Sequence, residues 1–317
     1  MLKDVTITNY LGKSVTYSFE GPTLEDQSGL LITEIEGLGP VKANLKFTEL
    51  STADGRIANS KTLEGRDITI HALFTWCNTI EEARLSSYKF FPIGTPVTFQ
   101  IETDNRLAET KGYVETNEPD IFSENSGCEI GVACESPFFL ASDGIKETLF
   151  SAVVPSFEFN YHLDPDEGYN GDEYENEGHD PVTEFGEIIH KKENTVFYEG
   201  DVETGCTMEI YAIGEVRMVR IYNIMTRERM IIDTTKLETL TGSGFNRGDR
   251  LTICTIPGKK SMTLLRNGET TNVLNILGRH SDWFMLARGD NVFAYTADYG
   301  EENVYFKIIS QTTYEGV

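Results

Sequence analysis

Apolar and polar residues alternate with period two along most of this chain, the pattern of strands with one buried face. Val97, Phe99 and Ile101 alternate with Thr98, Gln100 and Glu102. Val304, Phe306 and Ile308 alternate with Tyr305 and Lys307. Met262 and Leu264 run into Arg266-Asn267-Gly268-Glu269, where Asn-Gly predicts a tight hairpin turn. A second hairpin is predicted at Ala53-Asp54-Gly55-Arg56, between strands over residues 41–50 and 63–74. A third turn is predicted at Arg288-Gly289-Asp290-Asn291, between strands over 283–287 and 292–296, with Gly and Asn supplying positive φ. Residues 89–139 hold three more strand-like runs, separated by acidic or Asn/Gly turns.

One helix stands out. Thr79-Ile80-Glu81-Glu82 fits a capping box, and Pro92 stops the run that follows. Ile80, Ala83, Tyr88 and Phe91 are the expected buried face. A single short helix among many strands predicts an all-β fold. A length of 317 residues suits two domains, and the break is expected near residues 141–144, after Pro137-Phe138-Phe139. That gives an N-terminal β domain over 1–142 and a C-terminal one over 143–317. Residues 163–187 carry ten acidic residues and no Lys or Arg, so they are expected to be an exposed loop inserted in the second domain.

Charge sharpens this picture. The net of −24 is uneven: residues 143–203 carry 3 Lys/Arg against 17 Asp/Glu, whereas residues 204–317 carry 13 of each. No basic patch exists to release phosphate counterions, which argues against binding the outside of nucleic acid. No stretch approaches the roughly 20 apolar residues that span a bilayer. The start, MLKDVTITNYLGKS, lacks a basic region followed by an apolar run, so a non-secreted protein is expected. Five cysteines, at 77, 128, 134, 206 and 254, contain no CxxC pair and predict buried free thiols. Cys128 and Cys134 share strand parity with Ile130 and Val132, which places them in the core.

Candidate chemistry is sparse. Gly12-Lys13-Ser14 ends like a phosphate-binding loop, but the first Gly of that motif is replaced by Ile7. Gly242-Ser243-Gly244 leads into a strand rather than a helix N-terminus. The five histidines are scattered with no HExxH, and no Ser sits in a G-x-S-x-G elbow. Asp164, Asp166 and Glu175 occupy positions 1, 3 and 12 of a calcium loop, yet position 6 is Tyr169 where Gly is needed. The sequence therefore predicts no enzyme, no cofactor and no metal.

Three blocks together resemble the distal tail (Dit) proteins of long-tailed bacteriophages and related prophages. The first is Ala53-Asp54-Gly55 followed by Leu63-Glu64-Gly65-Arg66-Asp67-Ile68. The second runs from Tyr113-Val114-Glu115 through Asp120-Ile121-Phe122 and Gly127 to Cys134-Glu135-Ser136-Pro137-Phe138-Phe139. The third gathers residues 200–205, Ile221-Tyr222-Asn223, Gly258-Lys259-Lys260-Ser261, and residues 281–286 running to Gly289-Asp290-Asn291. The blocks cover both expected domains, and their specificity lies in order and spacing.

The resemblance implies an N-terminal β domain with an extended hairpin and one helix, then a C-terminal galectin-like β-sandwich. It implies a homo-hexameric ring in the virion, at the distal end of the tail, assembled in the bacterial host cytoplasm. The ring would join the tail tube protein to tail-tip, receptor-binding or baseplate proteins, with DNA as passing cargo and no membrane. The inter-subunit contact is expected at the hairpin, through Ala53, Asp54, Gly55, Arg56 and Arg66, with Arg66 pairing a neighbouring carboxylate. The competing reading is a carbohydrate-binding module that presents Trp283 or Trp76 to sugars.

Overall fold

Val97, Phe99 and Ile101 are buried and their polar neighbours face outward, so the predicted alternation is real at the centre of the first core. The computed structural model describes residues 1–19, 29–49, 54–74, 79–120, 126–160, 182–190 and 192–317, with 151–160 and 182–190 given as backbone only. The first half comprises β1 (Leu2–Thr8), β2 (Ser14–Ser18), β3 (Leu30–Glu36), β4 (Ala43–Glu49), β5 (Arg56–Leu63), β6 (Arg66–Phe74), α1 (Ile80–Phe90), β7 (Pro96–Thr103), β8 (Leu107–Asp120), β9 (Gly127–Cys134) and β10 (Phe139–Leu149). The second comprises β11 (Ser151–Asn160), β12 (Val182–His190), β13 (Glu193–Tyr198), β14 (Thr207–Ala212), β15 (Arg217–Asn223), β16 (Glu228–Ile232), α2 (Leu237–Thr241), β17 (Arg250–Cys254), β18 (Ser261–Arg266), β19 (Glu269–Asn272), β20 (Gly289–Tyr299) and β21 (Val304–Tyr314). The fold is all-β, and every strand pairing among the described residues is antiparallel.

Thirteen strands form one sheet in the order β19-β18-β17-β14-β21-β10-β8-β7-β1-β2, with β9, β6 and β3 added in turn from β8. The long β8 pairs β7 through its first half and β9 through its second, with a bulge between Val114 and Thr116. The first core collects Val5, Ile7, Phe99, Ile68, Ile70, Ile130 and Val132 from both limbs. A separate sheet, β13-β20-β15-β16, lies over β14, β17, β18 and β21. Between them Phe150, Tyr295, Phe306, Phe293 and Phe284 build an aromatic second core, with Phe150 and Phe306 centroids 4.6 Å apart.

The expected break near residues 141–144 falls inside a single strand. Phe139 of β10 is buried in the first core, and Phe150, directly after β10, in the second. The strand bulges between Leu140 and Ile145, where it changes partners from β8 to β21 alone. Strand β21 does the reverse: Phe306 and Ile308 fill the second core, while Tyr314 packs against the first.

Several predicted elements are shifted. The helix cap is as expected, since Thr79 caps α1 and its hydroxyl accepts from the Glu82 N–H at 3.2 Å. Ala83 and, at the C-cap, Phe91 are buried as expected and Ser87 joins them, whereas Tyr88 is half-buried and Ile80 is exposed. Residues 63–74 do not form the second strand of the predicted hairpin: β5 does, and the chain breaks at 64–65 before β6 joins β3 and β9. The Asn-Gly turn is as expected, with Asn267 at φ 51° and Gly268 at φ 82° joining β18 to β19. Residues 283–287 are irregular, and Gly289 begins β20 with φ 99°. Asn291 lies within that strand, and its amide spans the turn by bonding Ala287 N–H at 3.0 Å and Ala287 C=O at 2.8 Å. Of the acidic segment, residues 182–187 belong to β12, which pairs with β11, and residues 163–181 lie outside the described residues.

A polar tie joins the two cores. Arg106 grips Asp201 through two bonds of 2.8 and 3.0 Å, donates to Gly316 C=O at 2.7 Å and lies 4.4 Å over the Tyr314 ring. In urea unfolding, Arg106→Ala is expected to cost about 1–2 kcal/mol. Combining it with Asp201→Ala is expected to cost less than the sum of the two single changes.

Candidate functional site: the hairpin and its root

The residues predicted to touch a neighbouring subunit occupy two very different places. Asp54, Gly55 and Arg56 stand at the exposed tip of the β4–β5 hairpin, and Ala53 lies outside the described residues. Every residue of β5 is exposed, and all of β4 except half-buried Ala43. Among the described residues the hairpin pairs only with itself, as a separate two-stranded sheet. The tip carries one side-chain stack, with the Arg56 guanidinium 4.0 Å over the Phe47 ring.

Arg66 is the correction. It is 0% exposed, so it has no route to a carboxylate on another chain. Strand parity explains this: Arg66 shares the face of Ile68 and Ile70, which are core residues. Its five N–H groups are all spent on main-chain carbonyls. Nε donates to Pro137 at 3.1 Å, Nη2 to Pro137 at 2.8 Å and Glu315 at 2.6 Å, and Nη1 to Gly39 at 2.7 Å and to Gly37. The guanidinium carbon sits 4.0 Å from the Phe139 ring centroid. Burial holds its pKa below the usual arginine range, with a small opposing effect from Cys134.

This cage gathers the root of the hairpin. Gly37 and Gly39 lead into β4, and Arg66 follows β5 by three residues. Gly37 has φ +86°, and a Cβ there would meet the Asp67 carbonyl oxygen at 2.0 Å, so the approach requires glycine. Leu38 C=O accepts from Val317 N–H at 3.1 Å, which closes the cluster with the last residue of the chain. A planar five-donor fork is needed to serve four carbonyls at once, and lysine has no equivalent geometry.

The remaining candidates have structural settings. Cys128, Cys134 and Cys206 are buried free thiols; burial pushes Cys128 up to about 11 and Cys206 up to about 12, so both stay protonated at neutral pH. Cys77 and Trp76 lie outside the described residues. Trp283 is half-buried against the second core, with the Lys260 ammonium 5.3 Å from its ring centroid. Among the described residues no three His, Cys, Asp or Glu side chains are grouped to hold a metal ion.

No protein-family model and no curated protein matches the chain. Its fold does match solved structures. The SPP1 Dit (gp 19.1) protein, described as a paradigm of the hub adsorption apparatus in phages infecting Gram-positive bacteria, aligns with TM-score 0.59 and 12% identity over 98% of each chain. The phage P2 baseplate in its activated conformation aligns with TM-score 0.42 and 10% identity over 98% of each chain with Ca, and with 0.41 and 9% over 97% with Sr. The protein thus has a Dit-like fold along essentially its whole length.

Replacing Arg66 leaves four carbonyls without their donor. Arg66→Ala is expected to destabilise by about 3–5 kcal/mol and Arg66→Lys by about 2 kcal/mol, measured by urea unfolding.

Proposed function

We propose that this protein is a non-enzymatic structural hub of a bacteriophage-type tail. Six copies close a ring at the distal end of the tail tube, join it to tail-tip and baseplate proteins, and leave a lumen for DNA. The observation that carries this reading is the fold shared with the SPP1 Dit protein over 98% of both chains. In this reading residues 1–142 form the ring and residues 143–317 form a galectin-like sandwich. The particle is assembled in the host cytoplasm.

Two physical features favour it. A free-standing hairpin is marginally stable in water, so an exposed one gains from a neighbour's surface. A heterologous contact repeated around an axis closes a ring and covers sheet edges. The charge is also suitable: six chains of −24 sum to about −144, and an anionic lumen lets phosphates slide without sticking.

Negative-stain microscopy of the purified protein, with light scattering on a sizing column, is expected to show a six-fold ring. Particles that remain single chains at every concentration would refute the ring. Deleting residues 53–60, which removes the turn and the first part of β5, is expected to leave a folded monomer. An intact hexamer from that variant would place the contact elsewhere.

A further inference from the structure

The hairpin is one-sided. Its register sets Ala43 opposite Leu63, Leu45 opposite Lys61, Phe47 opposite Ala58 and Glu49 opposite Arg56, so these eight residues share one face. Leu45, Phe47 and Leu63 on it are 45%, 40% and 37% exposed. The other face pairs Asn44 with Thr62, Lys46 with Ser60 and Thr48 with Ile57, and is polar except for Ile57, which is 54% exposed. The bulge between Lys46 and Phe47 sets Ala58 opposite Phe47 and turns Ile57 to the other face. Three exposed apolar side chains gathered on one face mark a surface that expects a partner.

Charge says what kind of partner. Residues 42–63 hold four Lys/Arg against two Asp/Glu, while the rest of the chain holds 23 against 49. The hairpin is a cationic element on an anionic body, and therefore complements a second copy of that body. A nucleic acid would meet the cations but not the Leu45-Phe47-Leu63 stripe.

A matching surface lies on β10. Leu140, Ile145 and Leu149 are 39%, 61% and 54% exposed, and stand opposite Thr313, Gln311 and Lys307 of β21 on a common face. Glu147 lies on that face between Ile145 and Leu149. Lys307 is shared between Glu147 and Glu209 at 3.2 Å each, so carboxylate is in excess. The strip has three exposed apolar side chains with a carboxylate among them, and the hairpin face has three with Lys61 among them.

We propose that the Leu45/Phe47/Leu63 face of the hairpin docks on the Leu140/Ile145/Leu149 strip of a second copy. This rests on the ring reading above, names the two halves of its contact, and extends the ring surface past residue 142 to Ile145 and Leu149.

The test uses the full chain with three paired variants, each checked for an unchanged melting transition. They are Leu45→Ser/Phe47→Ser on the hairpin, Ile145→Ser/Leu149→Ser on the strip, and Asn44→Ser/Lys46→Ser on the opposite hairpin face. Sedimentation is expected to show the first two as single chains where the wild type assembles, and the third assembled like the wild type. Mixing the first two is expected to give a dimer and nothing larger, because each contributes one intact half. Lys61→Glu is expected to weaken assembly at least tenfold, and Glu147→Lys to restore it. If the strip variant assembles normally, or the mixture stays as single chains, the docking is wrong while the ring stands. Wild-type chains that never assemble would sink both. Loss of binding to a DNA duplex in Lys61→Glu, with assembly untouched, would reassign the hairpin to nucleic acid.

Discussion

A single buried guanidinium organises the base of the projecting hairpin. Arg66 draws together chain segments that are remote in sequence: the strand after the hairpin, the glycines before it, Pro137 ahead of β10, and Glu315 near the C-terminus. Desolvating a charge is expensive, and no carboxylate among the described residues offsets it. Five hydrogen bonds and an aromatic ring take that place. The root of the hairpin and residues 315–317 are therefore held in one cluster.

The two cores are coupled in the same spirit. Strands β10 and β21 run side by side; β21 contributes side chains to both cores, and the chain passes along β10 from Phe139 in the first core to Phe150 in the second. Arg106 adds a second cationic tie, from the first half to Asp201 and Gly316. A sheet continuous across both cores transmits orientation better than a linker would. The hairpin is thereby presented from a stiff base although its own two strands touch little else.

Much of this is legible in the sequence. The alternation of β7 and β21, the Thr79 cap and the Asn-Gly turn each rest on local rules, and local rules survive folding. The failures come from long-range packing. Arg66 reads as a surface residue by composition; only its parity with Ile68 and Ile70 signals burial, and its four carbonyl partners lie 27 to 249 residues away. The second strand of the hairpin is misplaced by the pattern because Leu63-Glu64-Gly65-Arg66 gives no loud break, only one glycine. Residues 283–287 look like a strand by hydrophobicity but pack on the second core without pairing beyond Leu286 with Thr204. On β5 a bulge at Asn59 shifts the parity, so Ala58 and Arg56 rather than Ile57 join the face of Leu63 and Lys61.

The acceptors around Arg66 are all peptide carbonyls, and this has an evolutionary consequence. A peptide oxygen is present whatever side chain its residue carries, so the bonds at 39, 137 and 315 ask for a backbone path and not for a particular side chain. The cage asks for one arginine, one glycine at 37 and a backbone path. An anchor built this way tolerates wholesale sequence drift, and a fold held by it outlasts the similarity by which sequences are recognised as kin.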